Sequence, residues 1–396
     1  MQLDFDVIVV GAGPAGCTTA YELNRLGYKV LLLDKCRFPR VKPCGGALSI
    51  KALNVIPWSV APVLEGAVKT ISVGMKQSGG SQLKILEGKD CFCAFAIREE
   101  FDRFNLEKTV ATGVQFEIES GLTKIKERQT YVEVTFGRKQ RTARYVVGAD
   151  GANSVVRRLI RAYFTFNRGF AIEGVVENKQ LPFEPLSQLF FGYVDNGYGW
   201  LFPKKDHVNV GLYTSSESVK LSKGHLRSYA LDQLGTNQVE RIVGFPIGFG
   251  GHNYSLNSGR IILVGDAGGF AEPLLGEGIY NALASGQAAA KAIDAHERGR
   301  SHSLSAAYSV ALRPLQRDLA CCDNLARRFY PNLNRIGFNG LGLTVGKKLL
   351  MRGFAAGMTM HQITNFLGLG PIRLLRPFYR AKTPISLREF TKSNVS

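Results

Sequence analysis

The sequence is short of long apolar runs, of patterned cysteines and of acids. No run reaches the roughly eighteen consecutive apolar residues that a membrane-spanning helix needs, so no such span is expected. No signal-peptide pattern precedes the glycine-rich fold that starts almost at Met1, and a cytoplasmic location is expected. Helix-turn-helix, zinc-finger and RNP-type signatures are absent, so no nucleic-acid partner is expected. The 7 cysteines are an odd set without paired CxxC motifs or a histidine cluster at zinc spacing. Cys91, Cys93, Cys321 and Cys322 therefore read as buried apolar residues, and no metal site is expected. Acids number 32 against 50 lysines and arginines, a formal charge of +18. Such a surplus suits an anionic membrane surface or a phosphorylated substrate.

What is present begins at Asp6. Val7 to Val10 are an apolar, largely β-branched run suited to a strand buried on both faces of a parallel sheet. Gly11-Ala12-Gly13-Pro14-Ala15-Gly16 follows, then a helical pattern to Gly27 and a second buried strand ending at Asp34. Gly11 permits the tight turn, Gly13 lets a pyrophosphate approach the backbone, and Gly16 lets helix pack on strand. The helix N-terminus offers amide donors and a positive dipole end to phosphates, and Asp34, about twenty residues on, can accept from a ribose diol. A dinucleotide site is predicted.

Farther along, Cys44-Gly45-Gly46 sits in a proline- and glycine-rich loop whose bare backbone can lie against a planar ring. Cys44 reads either as a cofactor or substrate contact or as a small space-filler. Short antiparallel strands are predicted over 68–96, a helix from Arg98 to Val110, and a buried strand at Tyr145–Val147 running into Asp150. Residues 161–255 alternate in β fashion and are rich in aromatics, as expected for one wall of a ligand cavity; Tyr198-Gly199-Trp200 lies among them. A last buried strand over Arg260–Val264 ends at Asp266, placed to bond a ribityl hydroxyl. The helix opening near Gly278 aims its dipole at an electron-rich ring oxygen. Beyond residue 300 the chain reads as helical, and past Asp323 lysines and arginines far outnumber acids. That tail, especially 347–380, is either a solvated basic face or an interfacial segment drawn to anionic lipid.

GAGPAG with Asp34, GADGANSVVR at 148–157 and GDAGGFAEPLLGEGI at 265–279 together resemble the FAD-dependent oxidoreductases of the p-hydroxybenzoate hydroxylase type. FPRVKPCGGAL at 38–48, YGWLFP at 198–203 and GEGIY at 276–280 narrow the resemblance to the geranylgeranyl reductase family. It implies an α/β fold: a Rossmann-like FAD domain split in sequence (1–60, 91–160, 256–300), a β-rich substrate domain (61–90, 161–255) and a C-terminal helical segment (301–396). It places FAD contacts on Gly11, Gly13, Ala15, Gly16, Asp34, Cys44, Gly45, Arg98, Asp266, Gly278 and Ile279, with Leu122 on the strand facing the adenine. Lys35, Asp150 and Gly276, in or beside the same motifs, complete the expected set.

The activity implied is hydrogenation of isolated double bonds in a prenyl chain carried on a lipid, a diphosphate or a quinone. Tyr198 and Trp200 line the prenyl tunnel; Cys44, Tyr198 or ordered water supplies a proton; NAD(P)H or ferredoxin supplies electrons. The protein is expected to sit peripherally on the inner face of the membrane. Rival expectations are a flavin monooxygenase or halogenase on the same scaffold, although the Trp-x-Trp-x-Ile-Pro stretch of many halogenases is absent, and a non-catalytic membrane-associated flavoprotein. Two departures from the family pattern stand out: Asp34 where many relatives carry Glu, and one glycine in Val210–Tyr213 where a pair is common.

Overall fold

A computed structural model describes residues 2–77, 80–119, 121–162, 164–256, 258–333, 344–368 and 383–393. Part of the basic tail, at 369–382, lies outside the described residues. The strand Phe5–Val10 lies at the centre of a seven-stranded sheet, and Val7, Ile8 and Val9 are wholly buried. It runs parallel to Val30–Asp34 on one side and to Lys139–Gly148 on the other, with Gln115–Ile118 parallel at the edge. Lys139–Gly148 is long enough to serve two partners on its far side. Its first half pairs antiparallel with Val132–Phe136, its second half parallel with Ile261–Leu263. A chain segment more than a hundred residues away thereby enters the same sheet.

Two helices pack together over this sheet, Pro14–Arg25 and Ile279–Glu297. Their approach depends on small residues: a Cβ on Gly286 would stand 2.7 Å from the Ala15 carbonyl oxygen, and one on Gly16 only 1.7 Å from that of Gly11. Gly11 has φ +107 and no room for a side chain against Ala149.

The second seven-stranded sheet runs in the order Glu240–Phe249, Asn167–Glu177, His207–Thr214, Gly197–Pro203, Gln188–Phe191, Thr70–Gln77, Gly80–Glu87. It is antiparallel except where Gln188–Phe191 meets Thr70–Gln77 in parallel; the short antiparallel strands predicted over 68–96 are there as the pair Thr70–Gln77 and Gly80–Glu87 and as Cys93–Ala96. Alternation sorts its faces. Val208, Val210 and Leu212 cluster with the buried side of the helix Lys223–Leu234, while Asn209 and Tyr213 belong to the opposite face. A three-stranded sheet of Ala47–Ser49, Cys93–Ala96 and Leu64–Val68 joins the two large ones. Beyond it, the helices Leu304–Phe329, Thr344–Ala355 and Met360–Gly368 follow, with Ile385–Ser393 last.

Candidate active site

A cavity of about 800 Å³ runs between the two large sheets, in the upper part of the range usual for ligand sites. Every residue singled out above as a site candidate lies on its wall except Gly16, which acts from behind by packing the helix onto Gly11. At one end the wall is the Gly11–Ala15 turn. Asp34 accepts the Ala12 amide at 2.8 Å and the Cys36 amide at 2.9 Å, which fixes the carboxylate at the strand end. Neither of the helices that open on the cavity, at Gly13 and at Gly278, has a side-chain cap, so their first-turn amides face it uncompensated.

The middle of the cavity is built by buried charges. Arg98 makes a two-pronged pair with Asp102, at 2.9 and 2.8 Å, and Arg40 reaches the same carboxylate at 3.3 Å. Asp102 was not singled out from sequence, although its position four residues after Arg98 on one helix is a readable signal. Lys204, also unforeseen, donates to the carbonyls of Gly45 at 2.9 Å and Ala96 at 3.1 Å, and burial pulls its pKa down to about 8. It thereby pins the Cys44–Gly46 loop to the strand Cys93–Ala96. Gly45 lies flat on two aromatics: a Cβ there would meet Phe202 at 2.7 Å and the Trp200 indole nitrogen at 3.0 Å. Asp266 is half-buried, and desolvation raises its pKa; Lys42, pulled down to about 8 by the same cause, stands near it. Asp150 lines the cavity, but its carboxylate accepts Ser154 Oγ and the amides of Val155 and Val156. Its structural work is to start the helix Val155–Leu159.

The far end is an apolar chamber. Phe191, Tyr198 and Trp200 rise from the second sheet, and Phe329, Met351 and Phe354 of the C-terminal helices close over them. Tyr198 Oη donates to the Leu275 carbonyl, and burial drives its pKa upward. Its proton is committed to the backbone, so Tyr198 offers the chamber a ring rather than an acid. Two more tyrosines do the same for neighbouring carbonyls, Tyr213 for Pro273 and Tyr330 for Leu274. Glu272 holds the loop from within by accepting the amides of Leu274, Leu275 and Glu277. The lone glycine of Val210–Tyr213 has a steric reason: a Cβ on Gly211 would stand 2.0 Å from the Trp200 ring.

Residues 4–187 match the family described as an FAD binding domain. A geranylgeranyl diphosphate reductase of Rhodobacter capsulatus is 31% identical over 306 residues, which are 73% of this chain and 75% of that one. The chain belongs to the geranylgeranyl reductase family. Among solved structures, the geranylgeranyl bacteriochlorophyll reductase-like protein Ta0516 of Thermoplasma acidophilum matches with a TM-score of 0.71 and 19% identity over 98% of both chains. The flavin-dependent brominase Bmp2 matches at 0.70 with 17% identity over 99% of both. These two likenesses establish the fold, which reductases and halogenases share. A geranylgeranyl reductase family member is an FAD-dependent oxidoreductase, and the residues present fit that cofactor. Gly13 leaves the backbone bare on the cavity wall where a pyrophosphate could approach, two uncapped helix ends face the cavity, and Asp34 stands at the strand end.

Proposed function

We propose that this protein reduces isolated double bonds in a prenyl chain carried on a lipid, a diphosphate or a quinone, with FAD held along the Gly11–Ala15, Cys44–Gly45 and Gly276–Ile279 segments. One observation carries the reading: the dinucleotide cradle and an apolar, aromatic-walled chamber are two ends of a single cavity. The name of the Rhodobacter relative agrees with it. Asp34 would take the ribose, Leu122 the adenine side, Asp266 the ribityl chain, and the helix end at Gly278 the electron-rich edge of the ring. Bound in reduced form, FAD supplies the hydride.

The chain's own residues do the rest. An isolated alkene accepts hydride poorly, so alignment and exclusion of water carry most of the rate. Phe191, Trp200, Phe329 and Phe354 provide a dry wall, and each buried methylene of the prenyl chain adds about 0.8 kcal/mol of binding. With the Tyr198 hydroxyl bonded to Leu275, the Cys44 thiol is the proton source on this wall. NAD(P)H and ferredoxin are the two electron donors to compare.

The test is anaerobic. The purified protein is reduced with dithionite, mixed with geranylgeranyl diphosphate or a geranylgeranylated lipid, and followed by its oxidised-flavin absorbance and by product mass. Return of the band with mass rising in steps of two hydrogens is expected. A flavin that stays reduced until oxygen is admitted would turn the assignment toward a monooxygenase or halogenase.

A further inference from the structure

Beside Cys44 stands a carboxylate to which no motif assigns a task. Glu173, on the strand Asn167–Glu177, is only 9% exposed and lies on the cavity wall. It accepts the Cys44 backbone N–H at 2.8 Å. Asn209, on the neighbouring strand, accepts Trp200 Nε1 at its Oδ1 at 2.7 Å, which turns its amide nitrogen to bond Glu173. A chain of hydrogen bonds thus runs from the Trp200 indole through Asn209 and Glu173 to the Cys44 loop.

Three cations also act on Cys44. Arg98, on the helix Arg98–Val110, hydrogen-bonds the Cys44 side chain, Lys204 acts from the end of the strand Gly197–Pro203, and Lys42 from its own loop; Tyr198 is a further titratable neighbour. Cations beside a sulfur favour the thiolate, yet protonating an alkene requires the thiol. Burial raises the Glu173 pKa, while the Cys44 amide and Asn209 stabilise its charge.

We propose that Glu173 is a positioning residue for Cys44: it holds the loop by the backbone N–H and its carboxylate offsets Arg98 and Lys204, so that the sulfur keeps the proton it must deliver. The inference rests on the prenyl-reductase reading. In the step it serves, one alkene carbon would take the proton from Cys44 Sγ and its neighbour a hydride supplied by reduced FAD. The π bond, the S–H bond and the flavin's bond to the hydride would break, two C–H bonds would form, the flavin would be left oxidised, and the thiolate would regain a proton from water.

The test reads Cys44 directly. In the full-length, FAD-loaded protein, the rate of Cys44 alkylation by iodoacetamide is followed against pH by mass analysis of the Cys44 peptide. In Glu173→Gln the pH of half-maximal rate is expected to fall by about one unit, close to a tenfold faster reaction at neutral pH. Prenyl turnover should fall in the same variant, and in a Cys44→Ala background Glu173→Gln should cost nothing further. An unmoved alkylation profile overturns the proposal, and so does a turnover loss as large without Cys44 as with it. Glu173→Asp, with the carboxylate drawn back by one methylene, should move the profile part of the way; if the Gln variant does not fold, an unmoved Asp profile overturns the proposal instead. A shifted profile in a protein that reduces no prenyl compound would uphold the Glu173–Cys44 coupling and sink the function.

Discussion

The two candidate acids on the cavity wall differ in what their hydrogens already do. Tyr198 donates to the Leu275 carbonyl, so Tyr198→Phe removes one buried hydrogen bond and leaves the ring in place. Its expected cost is about 1–3 kcal/mol of stability, read as a lower thermal midpoint, with turnover kept within an order of magnitude. Cys44→Ala should behave in the opposite way, leaving FAD content and melting almost untouched while prenyl turnover falls by about 10²-fold or more. Equal turnover losses in both variants would return the proton to Tyr198. Sequence could place these two residues near a flavin by motif. It could not reveal which hydroxyl or thiol was free, because the answer lies in Leu275, far along the chain.

The loop Glu272–Gly278 links the strand Ile261–Leu263 to the helix Ile279–Glu297, and its carboxylate sets a pH dependence. Burial pushes Glu272 up to about 7, whereas the unfolded chain titrates it near 4.5. The fold therefore binds this proton more tightly than the unfolded state does. The stability it brings is complete below pH 4.5 and is lost as pH rises through about 7. Measured against wild type, Glu272→Gln should gain on the order of 3 kcal/mol between pH 4.5 and pH 8; a stability difference that does not change with pH would show that the carboxylate folds with its charge. Elements with local signals were the readable ones. The helix predicted over Arg98–Val110 has those limits, and the glycine turn after Phe5–Val10 follows from spacing alone. Glu173 was visible only as a polar residue in an alternating strand, since its partners Cys44 and Asn209 come from other parts of the sheet and loop. Asp150 lay in a motif that suggested a cofactor contact, yet three bonds tie its carboxylate to the helix that follows.

At the scale of the whole molecule the charge of +18 acts over distances that no single pair spans. Among the described residues no helix is long and apolar enough to cross a membrane. A peripheral attachment driven by this charge predicts sedimentation with vesicles containing anionic lipid, little with neutral vesicles, and release at about 1 M salt, where the screening length falls to about 3 Å. Equal binding to neutral vesicles would remove charge as the cause. The described parts of the tail beyond residue 300 were legible as helical, and the tail as basic. Its share in the cavity was not, because Leu325, Phe329, Met351 and Phe354 meet their partners only through tertiary packing.

The three tyrosines that hold Pro273, Leu274 and Leu275 come from separate places: Tyr213 and Tyr198 from adjacent strands of the second sheet, Tyr330 from the end of the helix that roofs the chamber. The loop is therefore a knot tied by floor and ceiling together. A displacement of the ceiling at Tyr330 would therefore pull on Leu274, which lies four residues from the helix end at Gly278.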